Sequence, residues 1–161
     1  MSAEGFSTFA VLARDYPAVQ FAALQPMESR KITGAPLSNL ELLHGDHCGI
    51  DCRAASIDKI ICSLALHPLP QNGKVAFLKE MRRVLRQGGT LYLAELDQPL
   101  RPRETHVLRV TGHLFGPDTP TSHYDGTWLT LFKQAGFVGV RRMSSFSEII
   151  GRVTIVRARR G

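Results

Sequence analysis

No stretch of this 161-residue chain approaches the run of about 18 apolar residues that a membrane-spanning helix requires, so no helical membrane anchor is expected. The opening residues, "MSAEGFSTFAVLARDYP", lack the basic start and small-residue cleavage site of a secretion signal, which makes the cytoplasm the expected location. Cysteine is scarce. Cys48, Cys52 and Cys62 form no even disulfide framework, and in a reducing compartment they are expected as free thiols. The set His44, His47, Cys48 and Cys52 carries zinc-type ligands, but its H-x2-H-C-x3-C spacing matches no common finger, and no metal is expected. Aromatic residues make up only 7%, with one Trp and three Tyr. The formal charge of +6 and the pI near 9.7 therefore come without the stacking surface that single-stranded nucleic acid uses. The arginine groups at 82, 83 and 86, at 141 and 142, and at 157, 159 and 160 read as a solvated face, not a nucleic-acid site.

What the chain has is a patterned centre. Ser56 to Leu96 contains an apolar run (Ile57 to Leu66), an amphipathic segment, a Gly-Gly pair and a second apolar run (Thr90 to Leu96). Short apolar runs flanking a helical period are the pattern of a parallel β-α-β unit, whose strands are covered on both faces. Val75, Leu78, Met81, Arg82 and Leu85 form one helix stripe, with Lys79, Glu80, Arg83 and Arg86 opposite. Gly88 and Gly89 are expected to end that helix. A hydrophobic content of 43% in 161 residues suits one α/β domain over residues 1–161. Upstream, Phe6, Phe9, Ala10, Leu12, Ala13 and Tyr16 form a helical stripe stopped by Pro17, followed by short strands at Val19–Leu24 and Leu40–Leu43. Met27–Pro36 is a short helix or turn. Downstream, helices are expected at Glu104–Phe115 and Thr127–Gln134, and strands at Val138–Met143 and Arg152–Ala158.

The segments "CSLALHPLP", "FLKEMRRVLRQGG" and "TLYLAEL" resemble the second half of class I S-adenosylmethionine-dependent methyltransferases, of the small-molecule type that includes the ubiquinone and menaquinone biosynthesis enzymes. Asp58, His67, Leu69, Pro70, Leu85, Arg86, Gly88 and Gly89 match that pattern, with Gln87 where proline is usual. "LFKQAGFVGV" is similar to the family's closing phrase. The resemblance implies a Rossmann-like methyltransferase fold, a mostly parallel sheet with an antiparallel last strand. Strand order would be three-two-one-four-five-seven-six. The first strand and its G-x-G-x-G turn would precede residue 6, where only "MSAEG" stands. The chain is therefore expected to be a truncated domain with order three-two-gap-four-five-seven-six.

The resemblance also implies a cofactor, S-adenosylmethionine, and a small-molecule methyl acceptor. Gly5 is what remains of the glycine turn. Gln25 stands where the family places an acid against the ribose hydroxyls, and an amide there weakens the contact. Gly45, Asp46 and His47 would lie along the adenine, with Asp46 capping a turn as the plainer reading. Cys62, Ser63 and Leu64 end the fourth strand, where ligands of open α/β sheets lie. His67 is the candidate catalytic base, and His106, His113, His123, Tyr124 and Asp125 are candidates for the substrate cover. A gap in a parallel sheet leaves backbone groups unpaired at about 1–3 kcal/mol each. It is expected to be filled by a shift of the second strand towards the fourth, by a homodimer or by a partner chain. Three functions stay open: a small-molecule methyltransferase with a weakened cofactor site, a non-catalytic interaction module on the same scaffold, and a different enzyme using His67 and the loop histidines.

Overall fold

The computed structural model describes residues 4–25, 37–46, 48–99, 123, 125–148 and 151–161. They fall into two compact units, Met1–Cys52 and Arg53–Gly161. The expected segments Met27–Pro36 and Glu104–Phe115 lie outside the described residues. Among the described residues no helix is long and apolar enough to cross a membrane.

In the first unit, α1 (Glu4–Asp15) leads to the parallel strands β1 (Phe21–Gln25) and β2 (Leu40–His44). The helix ends just before the Tyr16-Pro17 step, where the proline ring forbids continuation. Asn39, buried at the start of β2, supplies the side-chain tie of this unit. Its Nδ2 donates to the carbonyls of Ala13 at 2.8 Å and Val19 at 3.0 Å, while its own carbonyl accepts from the Phe21 amide at 2.8 Å. One amide thus closes the helix end, the turn after it and the strand pair. β1 and β2 run in register from Phe21↔Leu40 to Gln25↔His44.

The second unit holds β3 (Ile57–Ser63), α2 (Gln71–Val84), β4 (Leu85–Leu96), a 3-10 turn (Thr127–Leu129) running into α3 (Thr130–Gln134), β5 (Phe137–Glu148) and β6 (Gly151–Arg160). Its sheet order is β3-β4-β6-β5. β3 pairs parallel to β4, while β4–β6 and β5–β6 are antiparallel. The order four-five-seven-six and the antiparallel final pair are those expected, and β1 and β2 form the two-stranded sheet of the first unit. Among the described strands there are as many antiparallel as parallel pairings.

The buried stripe of α2, Lys74, Phe77, Leu78, Met81 and Val84, covers the face of the sheet carrying Leu91, Leu93, Val156 and Ala158, all fully buried. β4 alternates: residues 91, 93 and 95 are buried, while residues 90, 92 and 94 are half-buried. The unbroken apolar run therefore belongs to a strand with one deeply covered face. Trp128, Phe132 and Phe137 form a tilted aromatic series, with centroids 5.8 and 5.9 Å apart, and close the core beside α2.

The expected end of α2 at Gly88–Gly89 is corrected. The helix stops at Val84, because Leu85 takes up extended backbone, φ −64 and ψ 143, and buries its side chain at the start of β4. Residues 86–89 then bulge between the Ile57↔Leu85 and Lys59↔Thr90 pairs. The last helical carbonyls find donors elsewhere: Ala55 and Ser56 amides at 2.9 Å to Arg83 and Val84, and the Arg160 guanidinium at 3.0 and 2.9 Å to Arg82 and Arg83. A cation there also opposes the negative end of the helix dipole. The glycine pair serves the bulge instead. Gly88 has φ 74, and a Cβ on Gly89 would meet the Arg86 carbonyl oxygen at 2.8 Å and that of Asp58 at 3.2 Å. Both obstacles are backbone and cannot swing aside. Gly89→Ala is expected to cost about 1–3 kcal/mol, read as a lowered urea midpoint with an unchanged slope.

Candidate active site

β3 and β4 end side by side, with Cys62 opposite Leu93 and Ser63 opposite Ala94. The chain leaves β3 through Leu64, whose φ of 50 is rare outside glycine. Such strain persists only where the surroundings impose it. Here the Leu64 amide donates to the Ala94 carbonyl at 2.8 Å, and its side chain packs on Leu96 and Val153. This twist sends the chain back over the end of β4, towards Glu95.

Glu95 is fully buried and its carboxylate gathers four donors. Oε2 accepts from the amides of Leu66 at 2.7 Å and His67 at 3.3 Å. Oε1 accepts from the Leu96 amide at 2.9 Å and lies 2.9 Å from His67 Nδ1. Burial pushes this carboxyl up, but the hydrogen bond and charge of His67, the charge of His123 and the Leu96 amide outweigh it and hold Glu95 below its ordinary value. An ionised Glu95 can only accept, so His67 Nδ1 carries a proton and Nε2 is the nitrogen left for a substrate. A histidine held this way is the arrangement of an oriented general base.

Further polar groups lie within electrostatic reach of Glu95. Lys74, in the first turn of α2, is buried; burial lowers its pKa and the neighbouring Glu95 partly restores it. The Cys62 thiol is pushed up to about 12 by burial and by the Glu95 charge. It is a neutral thiol at physiological pH and so a poor nucleophile. His123 is 1% exposed. Its Nδ1 donates to the Leu96 carbonyl at 2.6 Å, and its ring stacks on Trp128 at 5.5 Å and 24°.

Next along the chain, Asp97 binds the frame. Its carboxylate accepts from Trp128 Nε1 at 2.9 Å, Thr154 Oγ1 at 2.7 Å and Arg142 at 3.2 Å through two nitrogens. Burial pushes its pKa up, but Trp128, Thr154, the Gln98 amide and Arg142 outweigh this and hold it low. One carboxylate thereby joins β4, β5, β6 and the Thr127–Leu129 turn.

Of the residues singled out from sequence, the second unit brings together Cys62, His67 and His123 around Glu95, while Ser63 faces solvent at the end of β3. In the first unit, Gly5 is the second residue of α1 and so lies within a helix, not in a strand-to-helix glycine loop. Gln25 ends β1 opposite His44. Gly45 bridges Ile50 with φ 157, and a Cβ there would run into the Gly49 carbonyl. Asp46 Oδ1 accepts from the Cys48 amide at 2.6 Å and the Gly49 amide at 3.1 Å, an Asx turn. Its turn-capping role is thus present in the fold. His47, His106, His113 and Tyr124 lie outside the described residues.

Glu95, Asp97 and Lys74 were not singled out from sequence. The signal for the first two was present in "LYLAELDQ": acids at alternate positions on the face that holds Leu91 and Leu93.

Burial lowers His123 to about 4 from an ordinary 6.5, with Lys74 and His67 reinforcing it and Glu95 and the Leu96 carbonyl opposing it. The unfolded chain therefore takes up a proton near pH 6.5 that the folded chain refuses until about pH 4. Folding stability falls as pH drops through that window, by up to about 3 kcal/mol. His123→Phe, which keeps a ring against Trp128, is expected to flatten this slope in urea titrations at successive pH values.

Residues 8–93 match the family model described as "Methyltransferase domain". The demethylmenaquinone methyltransferase of Listeria monocytogenes is 30% identical over 132 residues, which cover 71% of this chain and 55% of that protein. The chain spans about half the length of the curated relatives it matches. Among solved structures, PigF with SAH superposes with a TM-score of 0.70 at 19% identity, over 96% of this chain and 47% of that one. A SAM-dependent methyltransferase from Methanosarcina mazei does so with a TM-score of 0.65 at 15% identity, over 92% and 85%. The fold, the matched family model and the relatives agree: the chain belongs to the class I S-adenosylmethionine-dependent methyltransferase family.

Proposed function

We propose that the chain transfers a methyl group from S-adenosylmethionine to a small molecule carrying an acidic hydroxyl, with His67 as the general base and with a weakened cofactor site. The observation that carries this is the His67–Glu95 pair at the carboxyl edge of β3 and β4. The acceptor hydroxyl gives its proton to His67 Nε2, and the imidazolium formed is stabilised by the ionised Glu95 beside it. A bound S-adenosylmethionine would supply an electrophilic sulfonium methyl for the oxygen that His67 relieves of its proton, with a neutral thioether as its leaving group. Holding the two in line supplies much of the rate.

Within the first unit, parallel strands β1 and β2 end in register at Gln25 and His44, and Gly45 and Asp46 follow at once. Nucleotides bind at such carboxyl ends, which supports residues 25, 45 and 46 as adenosine contacts. Two features weaken the fit: Gln25 has no charge to offer ribose hydroxyls, and Asp46 Oδ1 already serves two turn amides. The relatives' name makes a demethylmenaquinone, in its reduced hydroxyl form, the first acceptor to test. A second chain or a second copy that completes the sheet is part of this proposal.

Isothermal titration with S-adenosylmethionine and S-adenosylhomocysteine tests the cofactor. The expected dissociation constants lie between micromolar and millimolar. Micromolar or tighter binding overturns the weakened site, and no heat at millimolar ligand overturns the methyltransferase. Gln25→Glu is expected to tighten binding roughly tenfold by restoring charge-assisted bonds. His67→Gln is expected to lower kcat by about 10²–10⁴ in transfer of labelled methyl while leaving cofactor affinity unchanged.

A further inference from the structure

A half-buried and a buried histidine hang by Nδ1 from consecutive residues at the end of β4. His67 is held by the Glu95 carboxylate and His123 by the Leu96 carbonyl. A carbonyl oxygen can only accept, so His123 Nδ1 is the protonated nitrogen and Nε2 carries a lone pair. That Nε2 is buried, and no described residue donates to it. A buried acceptor without a donor is costly, and native structures rarely leave one so. The neighbours cannot turn the ring over to satisfy it. The Leu96 peptide is fixed at both ends, its amide on Glu95 and its carbonyl on His123, and Trp128, itself fully buried and tied to Asp97, stacks along the imidazole.

We infer that His123 Nε2 is a ligand-binding atom, a fixed acceptor that takes a neutral hydroxyl or N–H donor from a small aromatic ligand. Burial keeps the ring unprotonated across the physiological range, so it offers a lone pair and no positive charge. Facing groups set the remaining preference. Glu95 contributes a buried negative charge and Lys74, His67 and Trp128 complete the surroundings, so a carboxylate or phenolate would meet a lone pair where it needs a donor. The Trp128 ring stacked on the imidazole favours a flat ring beside it over a sugar or a polyamine. The inference deepens the methyl-transfer proposal by defining one contact of the acceptor. His67 would take the proton from one group while His123 holds a donor that keeps its proton.

Trp128 is the only tryptophan of the chain, so its fluorescence reports directly on the ring it stacks against. The test compares 1-naphthol, 1-methoxynaphthalene and 1-naphthoate in equilibrium fluorescence titrations of the full chain, without cofactor. The expected result is that 1-naphthol binds roughly tenfold or more tightly than the other two. His123→Phe, which keeps the stack, should erase that preference, and His67→Gln should retain it. Equal affinities of the three probes, or a preference that survives in His123→Phe, overturn the inference, the second outcome meaning that water alone satisfies Nε2. Nitrogen-15 NMR of the ligand-free protein is an independent arm. It is expected to show an unprotonated His123 Nε2 from pH 5 to pH 8, and a protonated Nε2 overturns the inference. Neither arm uses methyl transfer. Loss of cofactor binding with the hydroxyl preference intact removes the enzymatic proposal alone, and the reverse pattern removes this one.

Discussion

The second unit depends on one buried carboxylate. Taking Glu95 out of water costs several kcal/mol, and the cost is met only because four donors converge on it. Two of those donors are backbone amides of residues 66 and 67, so the charge organises the loop between β3 and α2 as well as the imidazole it carries. The left-handed Leu64 makes that loop geometry attainable, and α2 then begins at once from Pro70. Without the charge, two amides and an imidazole N–H would be buried with weaker acceptors or none. Loop position, imidazole orientation and proton location thus follow from a single ionisation state.

Asp97 extends the same logic by two residues. Where Glu95 fixes a loop over the strand end, Asp97 fixes the strands themselves, joining the Trp128 indole to Thr154 and Arg142. Ser145 adds a bond of 2.7 Å to Thr154 from the edge strand. The apolar core between α2 and the sheet would tolerate sliding of its side chains, since hydrophobic attraction has no direction. The two carboxylates do not tolerate it, because each of their donors has a fixed angle and distance. A rigid polar floor is what positioning of two reactants requires.

Much of this was legible before any coordinates. The β-α-β centre, the strand order and the antiparallel closing pair follow from apolar runs, one helical stripe and a family resemblance. Elsewhere local rules fell short for specific reasons. Gly88 and Gly89 look like a helix stop, yet Leu85 leaves the helix earlier because its side chain gains more as the first buried residue of β4, and the glycines are needed where the bulge brings backbone against the Asp58 carbonyl. Glu95 sits inside an apolar strand, where residue type alone gives no sign of its role. What makes it central is a set of partners 28 and 29 residues away, a separation that periodicity cannot report. Asp46 shows the opposite case: its turn-capping role, the plainer alternative, is realised in full by two amides close in sequence.

The two histidines show how one strand end can give the same side chain two chemistries. Each is anchored through Nδ1, so each presents Nε2, and the tautomers are identical. The anchors differ in charge. A carboxylate gains electrostatic energy when its imidazole becomes a cation, whereas a carbonyl dipole gains much less and a neighbouring lysine opposes it. Burial, with Lys74 reinforcing it, resists proton uptake at His123, while the ionised Glu95 fixes a proton of its own partner at Nδ1. Glu95 therefore sets the orientation of one imidazole, and the Leu96 peptide, whose amide it holds, sets that of the other.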